Sequence, residues 1–328
     1  MLPAAPFFFN PKRFDHREKY MRFTLEQIKS FEGVYSALLT PFDKKGRVDE
    51  EVLRMLISYQ LGQGLNGFFV CGSTGEGFLM SPEERRRVAE IVVEEARGKG
   101  KVIVHVGHIS SDVAVSLARH AEKIGADAIS STPPIYFDVR IGGTFYHYQL
   151  IAGACSLPFL AYNIPATTPI GILPEHLSTL SKIENFIGMK YTGYNLFEMG
   201  TIAEKMGQRG IVLSGSDEMF LPALVMGARG SIGSTQNLLP GKFAEIYKSF
   251  KNGEIQRARE LQAEVNRVVR VLLKYGSPAW KAYMKRLGFD CGQCRPPFKP
   301  LLPVENWVVS QKRPVLQWIG DAKVLARV

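Results

Sequence analysis

Cysteine is scarce in this chain of 328 residues, which contains four: Cys71, Cys155, Cys291 and Cys294. So few cysteines exclude a small disulfide-stabilised fold and favour a reducing compartment, which we expect to be the cytoplasm. The last two form a lone CxxC motif. Because no second pair and no nearby histidine completes a zinc site, we predict a structural role for this motif and no bound metal.

Long apolar runs are also missing. No run reaches the roughly 18 apolar residues that a membrane-spanning helix requires, so we predict no membrane segment. Near the start, the apolar residues 7–9 precede the basic Lys12, Arg13 and Arg17. A signal peptide has the opposite order, with its positive charges first. We therefore predict that residues 1–30 are an extension outside the main fold.

Basic residues exceed acidic ones, with 41 Lys and Arg against 31 Asp and Glu and a formal net charge of +10. They are spread along the chain and often lie beside acids, and they form no tract with interleaved aromatic residues. We see no nucleic-acid-binding motif. A basic balance can favour anionic small molecules or non-specific nucleic-acid contact, but a solvated charged surface is the interpretation we favour.

Short apolar or β-branched runs alternate with helical patterns from residue 33 onward. This alternation is typical of buried parallel strands in βα units. Eight such units within about 220 residues predict a closed (β/α)8 barrel over residues 31–253, followed by a helical region over 254–328. An open doubly wound sheet is disfavoured because no GxGxxG turn follows the first run. The eight runs are 34–39, 67–71, 102–106, 128–131, 159–162, 187–190, 211–214 and 231–233.

A lysine ends the sixth run. Burial disfavours the charged form of an amine, which makes Lys190 a candidate nucleophile. The alternative is a lysine that follows the strand and extends its amine to solvent. Tyr162 ends the fifth run, and a phenol moves protons during the formation of an imine. We therefore predict Schiff-base chemistry on a ketone, which requires neither a metal nor an organic cofactor.

Polar residues follow most of the other runs. The second run leads into a turn in which glycines flank Ser73 and Thr74, and such a turn suits a carboxylate or a phosphate. No GK[ST] follows, so the turn is not a P-loop, although an ordinary turn remains the alternative. Tyr136 follows the fourth run, and Asp217 with Glu218 follows the seventh. Because active sites of such barrels lie at the carboxyl ends of the strands, we expect these side chains to share one mouth.

Five motifs, taken together and in this order, resemble one known family between about residues 33 and 298. That family is the pyruvate-dependent class I aldolases of the N-acetylneuraminate lyase and dihydrodipicolinate synthase type. The motifs are Ala37-Leu38-Leu39-Thr40-Pro41-Phe42, Gly72-Ser73-Thr74-Gly75-Glu76, Tyr162-Asn163-Ile164-Pro165, Gly188-Met189-Lys190 and Gly230-Ser231-Ile232-Gly233-Ser234.

The resemblance implies a role for each matched residue. Lys190 corresponds to the imine-forming lysine and Tyr162 to the acid/base tyrosine. Ser73 and Thr74 correspond to the hydroxyls that bind the pyruvyl carboxylate and relay protons. Tyr136 resembles a tyrosine that reaches the site of the neighbouring subunit, which implies a homotetramer built as a dimer of dimers.

The resemblance also separates two branches of the family. The synthase branch has an arginine where this chain has Thr167, which disfavours lysine-biosynthetic condensation. The lyase branch has two segments that are present here, Gly215-Ser216-Asp217-Glu218 and Gly233-Ser234-Thr235-Gln236-Asn237. These segments imply that Gly215, Asp217, Glu218 and Ser234 bind the tail of a sugar acid, and that Thr192 lies near the bond that is cleaved.

The implied activity is reversible cleavage of N-acetylneuraminate to pyruvate and N-acetylmannosamine. Two alternatives remain open. One is a sister aldolase or dehydratase acting on another 2-keto acid, such as 2-keto-3-deoxygluconate. The other is a non-catalytic ligand-binding barrel. For Asp217 and Glu218, capping of the following helix is a further alternative.

Overall fold

A closed parallel barrel of eight strands in sequence order forms the centre of the molecule, and the last strand pairs with the first. The computed structural model describes residues 22–303 and residue 305. The predicted (β/α)8 fold is confirmed, and each predicted run overlaps a strand. The strands are β1 Gly33–Ala37, β2 Gly67–Val70, β3 Lys101–His105, β4 Ala128–Ser131, β5 Phe159–Asn163, β6 Phe186–Tyr191, β7 Ile211–Ser214 and β8 Gly230–Gly233.

Helices connect the strands and surround the barrel, and several begin at sequence signals. Ser81 caps one helix through a capping box with Glu84, and Asp49 caps another by accepting a hydrogen bond from the backbone of Val52. None of the helices described is long and apolar enough to cross a membrane. The helices are α1 Leu25–Lys29, α2 Glu50–Gly62, α3 Pro82–Ala96, α4 Ser111–Lys123, α5 Arg140–Ala152, α6 Leu177–Leu180, α7 Leu196–Met206, α8 Phe220–Val225, α9 Pro240–Lys251, α10 Ile255–Tyr275 and α11 Ser277–Arg286.

The strands separate two apolar layers. Outward-facing side chains pack against the helices in one large cluster, and inward-facing side chains such as Phe69, Ile103 and Leu213 fill the barrel. Successive residues of a strand point to opposite faces. The residues at the carboxyl ends of the inward rows therefore form the floor of the mouth, where Lys190 and Tyr162 lie side by side in register.

The amino-terminal end of the barrel is closed by α1, which differs from the prediction that residues 1–30 lie outside the fold. Ile28 and Phe31 are buried in the interior cluster, and Arg22 bonds through its backbone to Glu184 just before β6. These apolar residues cover the open bottom of the barrel, so the fold includes this segment. Residues 1–21 of the predicted extension lie outside the described residues, as do most residues after 303.

The two last helices pack against the side of the barrel. The buried face of α10 is apolar, and it contacts α9 and the short turn Asp217–Met219 after β7. From α11, Lys281 reaches Glu76 in the turn after β2. This helical region therefore contacts two of the loops that carry predicted site residues.

Candidate active site

Lys190 lies inside the barrel near the carboxyl end of β6, with neighbours Tyr162 on β5 and Leu213 on β7. Its side chain is buried, with 4% exposure. The amine Nζ lies 4.1 Å from the centre of the Tyr162 ring and 4.6 Å from that of Phe69. Within residues 22–303, no carboxylate lies within the 4.0 Å of an ion pair with this amine. A buried amine held by rings instead of by an acid is available for covalent chemistry.

An aromatic group fixes the position of Tyr162. Its ring meets Phe69 edge-on with centroids 5.6 Å apart, and it meets His105 edge-on at 5.9 Å. The imidazole of His105 accepts a hydrogen bond from Thr132 N at Nε2, so Nδ1 carries the proton and donates to Cys71 O at 3.2 Å. Burial lowers the pKa of His105 well below its usual value, and the nearby Arg85 lowers it further. The histidine is therefore neutral and links the loops after β2 and β4 beside the tyrosine.

The turn after β2 presents its two hydroxyls at the mouth. Ser73 is exposed and Thr74 is half-buried. Thr74 Oγ1 shares a hydrogen bond of 2.5 Å with Ser234 Oγ in the loop after β8. Thr40 holds the turn by donating from Oγ1 to Gly75 O at 2.7 Å. The predicted carboxylate-binding turn thus reaches across the mouth to a predicted tail-binding residue.

Thr192 and Gly215 meet directly beside Lys190. A Cβ at position 215 would lie 1.9 Å from Thr192 Oγ1 and 3.1 Å from Lys190 Cε, so only glycine permits this approach. Thr192 Oγ1 is buried and has no hydrogen-bond partner in the described part of the chain. Buried hydroxyls are normally hydrogen-bonded, so a ligand atom next to the lysine would supply the hydrogen bond that this hydroxyl lacks.

Asp217 is buried with 7% exposure, in the turn after β7. Its Oδ2 accepts a hydrogen bond of 2.7 Å from Thr235 N, while Oδ1 is buried and has no partner among the residues described. A Cβ at Gly233 would lie 1.6 Å from Oδ1, so the carboxylate packs against bare backbone. Burial raises the pKa of Asp217 to about 6 despite the opposing hydrogen bonds of Thr235.

Helix α10 anchors the two adjacent acids from outside the barrel. Gln262 Nε2 donates to Asp217 O at 3.0 Å, and Asn266 Nδ2 donates to Glu218 O at 3.2 Å. The carboxylate of Glu218 accepts a hydrogen bond of 2.6 Å from Tyr194 OH at Oε1. The sequence contains a signal for one of these amides, because Gln262 interrupts the apolar stripe of α10.

Asn237, the last residue of the second lyase segment, closes the barrel near the site, a role that was not predicted. It donates from Nδ2 to Ala37 O at 2.7 Å and to Ser234 O at 2.8 Å, and Oδ1 accepts from Leu39 N at 3.1 Å. It therefore ties the loop after β8, which carries Ser234, to the end of β1.

Tyr136 stands apart from the other predicted residues. Its side chain is 86% exposed, and its ring packs edge-on against Phe137 with centroids 5.0 Å apart. The side chain is thus directed to the surface of its own chain. Its predicted role in a neighbouring subunit stays a prediction.

A family model described as the dihydrodipicolinate synthetase family matches residues 30–311. The chain belongs to this family. It is 38% identical over 289 residues to the N-acetylneuraminate lyase of Rhizobium meliloti, covering 88% of this chain and 96% of that protein. The N-acetylneuraminate lyase of Salmonella agona is 39% identical over 300 residues, covering 90% of this chain and 99% of the relative.

Among solved structures of the family, Ruminococcus gnavus sialic acid aldolase matches as wild type with a TM-score of 0.85 and 30% identity, covering 90% of this chain and 98% of that one. A catalytic lysine mutant of the same aldolase matches with a TM-score of 0.85 and 29% identity, covering 90% and 97%. Dihydrodipicolinate synthase from Aquifex aeolicus also matches, with a TM-score of 0.82 and 31% identity, covering 86% of this chain and 96% of that one. Members of both branches of the family therefore share this fold.

Thr167 occupies the position at which, according to the resemblance, the synthase branch of the family has an arginine. It is exposed in the turn after β5, where its backbone N donates to Ile164 O at 3.0 Å. The side chain is uncharged, so this position offers no cation to a second carboxylate.

Proposed function

We propose that this chain cleaves N-acetylneuraminate reversibly to pyruvate and N-acetylmannosamine, through an imine on Lys190. The observation that carries the proposal is the position of Lys190, which is buried, has no acid partner among residues 22–303 and is in register with Tyr162. The lyases among the relatives support the choice of substrate, and so does the uncharged Thr167 at the mouth.

The reaction begins when Nζ of Lys190 attacks the C2 ketone of the open-chain sugar acid. The carbinolamine loses water to give a protonated imine, and Tyr162 supplies and removes the protons. A proton then leaves the C4 hydroxyl, with Tyr162 and the substrate carboxylate as candidate relays. The electrons of the C3–C4 bond move into the iminium, which releases N-acetylmannosamine and leaves an enamine. Protonation of the enamine at C3 and hydrolysis yield pyruvate and the free lysine.

The other predicted residues hold the substrate in this scheme. Ser73 and Thr74 donate hydrogen bonds to its carboxylate. In this scheme Thr192, whose hydroxyl has no partner among the described residues, lies beside the bond that breaks, and Gly215 leaves the space for this approach.

The acids and Ser234 bind the hydroxyls of the tail. An ionised carboxylate is a strong acceptor for such hydroxyls, and Asp217 Oδ1 has no competing partner among the described residues. The imine is its own electron sink, so the scheme requires no metal or organic cofactor.

We also propose a homotetramer in the cytoplasm. The exposed Tyr136 supports the assembly because an exposed pair of aromatic rings is typical of an interface. Its ring would then reach the site of an adjacent subunit. The compartment rests on the free state of all four cysteines.

The test is release of pyruvate, coupled to lactate dehydrogenase, from N-acetylneuraminate and from 2-keto-3-deoxygluconate side by side, with Lys190→Ala as the blank. We expect a strong preference for N-acetylneuraminate. Preference for the deoxygluconate would keep the imine mechanism and move the chain to a sister activity. A wild-type chain that forms no covalent adduct with pyruvate and borohydride would be a binding protein instead.

A further inference from the structure

A tyrosine outside the predicted site joins two neighbouring loops at the mouth. Tyr194 lies four residues after Lys190 in the loop after β6, and its hydroxyl donates to Glu218 Oε1 in the loop after β7 at 2.6 Å. Its side chain is 66% exposed, whereas the lysine and Asp217 are buried. Neither the chemistry at Lys190 nor the packing of the barrel requires this bond.

The backbones on both sides of the bond are fixed. Leu196 N donates to Tyr194 O at 3.0 Å, and the next residue, Asn195, caps α7 by accepting from Glu198 N at 3.1 Å. On the other side, Asn266 holds the carbonyl of Glu218. The hydrogen bond therefore orders a long, flexible glutamate side chain in advance, which reduces the entropy that a ligand must remove on binding.

The polar groups after β6 and β7 form a series of increasing exposure. Asp217 is buried next to Gly233, Glu218 is half-buried, and Tyr194 is at the exposed rim. A substrate held by an imine at one end places its successive hydroxyls along this series. Only a long tail reaches the rim, where an aromatic face packs against its C–H groups and Glu218 Oε2 accepts a hydroxyl.

We propose that Tyr194 is a specificity-determining residue, which together with Glu218 recognises the far end of a long polyhydroxylated 2-keto acid. This inference rests on the proposed function, because it places the substrate on Lys190. Short 2-keto acids end before the rim and make no use of the tyrosine. The tyrosine thus favours long substrates without taking part in bond cleavage.

The experiment compares Tyr194→Phe with wild type in the condensation direction, using pyruvate and aldehydes of two lengths. The long acceptors are N-acetylmannosamine and mannose, and the short one is glyceraldehyde. We expect the variant to raise the KM of the long acceptors about three- to tenfold, the effect of one lost hydrogen bond, with kcat within about twofold. The KM of glyceraldehyde stays unchanged. Tyr146→Phe, an exposed tyrosine on α5, is the matched control and leaves all values unchanged.

Each outcome decides the proposal. An equal loss with all acceptors, or no loss with any, would overturn the role of Tyr194, and so would a wild-type chain that accepts no long aldehyde. Failure of the proposed function has a different signature, since wild type would then convert mannose but not N-acetylmannosamine. A length-dependent loss with mannose would still support Tyr194 in that case. Borohydride trapping with pyruvate stays at the wild-type level in the variant, which confirms an intact imine site.

Discussion

Among the lysines that the structure describes, two are buried, and their surroundings differ. Lys190 is 4% exposed and Lys281 is 2% exposed. Lys281 Nζ lies 2.7 Å from Glu76 Oε1 and donates to Gln293 O at 3.2 Å. Both amines lie over aromatic rings, that of Lys281 over Phe42 at 4.2 Å and that of Lys190 over Tyr162 and Phe69. The difference between them is the carboxylate. Burial alone therefore does not make a lysine a nucleophile. The carboxylate of Glu76 keeps the amine of Lys281 in a structural ion pair. No described carboxylate pairs with the amine of Lys190, which leaves that amine available for chemistry.

Lys281 supports the loop after β2 from outside the barrel. Glu76 belongs to the turn that carries Ser73 and Thr74, and it adopts a left-handed backbone conformation with φ of 57°. Its second oxygen, Oε2, accepts from Arg295 N at 2.7 Å. The carboxyl-terminal region thus holds the turn that we propose binds the substrate carboxylate.

Replacement of Lys190 with Met tests the reactive side of the comparison. We expect the rate of cleavage to fall by about 10⁴-fold or more, because in the proposed mechanism only Lys190 forms the imine with the substrate. The melting temperature stays the same or rises, since an apolar side chain of similar size replaces a buried amine that has no carboxylate partner among the described residues. Coupled pyruvate release and thermal unfolding measure the two effects. Retention of a borohydride adduct with pyruvate in this variant would show that another amine is the nucleophile.

Replacement of Lys281 with Met tests the structural side. The variant leaves the Glu76 carboxylate buried and unpaired, which costs about 3–5 kcal/mol of unfolding free energy. Thermal unfolding measures this loss, and borohydride trapping with pyruvate below the transition still gives the adduct.

The control for Lys281 is the double variant Glu76→Gln with Lys281→Met. It removes both charges, so we expect it to recover much of the lost stability. If Lys281→Met were as stable as wild type, the ion pair between Lys281 and Glu76 would not stabilise the fold, and the contrast between the two lysines would be wrong.

The sequence distinguished these two lysines only in part. Lys190 was predicted because it ends a short apolar run in a chain of βα units, a pattern local in sequence. Lys281 gave no such signal, since it lies in the amphipathic helix α11 and its partner Glu76 is distant in the chain. An ion pair between distant elements depends on how those elements pack, and periodicity does not contain that information.

The same limit applies to the mouth of the barrel. The strands and the residues at their ends were predictable, because parallel strands in a barrel present their carboxyl ends on one side. The supports were not predictable: Phe69 under the lysine, His105 against Tyr162 and the α10 amides behind the acids. They act through contacts between elements. The bottom of the barrel was misjudged for a related reason, since α1 has few residues and one buried isoleucine, Ile28.

Replacement of Tyr162 with Phe sharpens the comparison, because it keeps the ring near Lys190 Nζ and removes only the hydroxyl. We expect kcat to fall on the order of 10²-fold, since a general acid/base contributes about 10²–10⁴-fold. Stability stays near wild type because the ring still packs against Phe69 and His105. Steady-state kinetics give kcat, and thermal unfolding provides the control. A variant with wild-type kcat would leave the ring as the contribution of Tyr162 and assign the proton transfer to another group.

The smallest expected effect concerns Asp217 and pH. Burial raises the pKa of this carboxyl to about 6, so it is ionised at pH 7 and mostly protonated at pH 5. If only the ionised form accepts the tail hydroxyls, the KM for N-acetylneuraminate rises about tenfold between pH 7 and pH 5. In Asp217→Asn this rise is absent.

Stability has the opposite dependence on pH from substrate binding at Asp217. A carboxyl with a raised pKa in the folded chain stabilises it most when protonated, and that contribution is lost as the pH rises through about 6. Asp217→Asn therefore melts above wild type at pH 7, and the difference closes toward pH 4. Asp217 also contributes to the field at Lys190. If its protonation changes borohydride trapping of pyruvate in wild type but not in the variant, Asp217 is a counter-charge for Lys190. Both lysines would then have an acid partner, and the two pairs would differ only in the distance between the amine and the carboxylate.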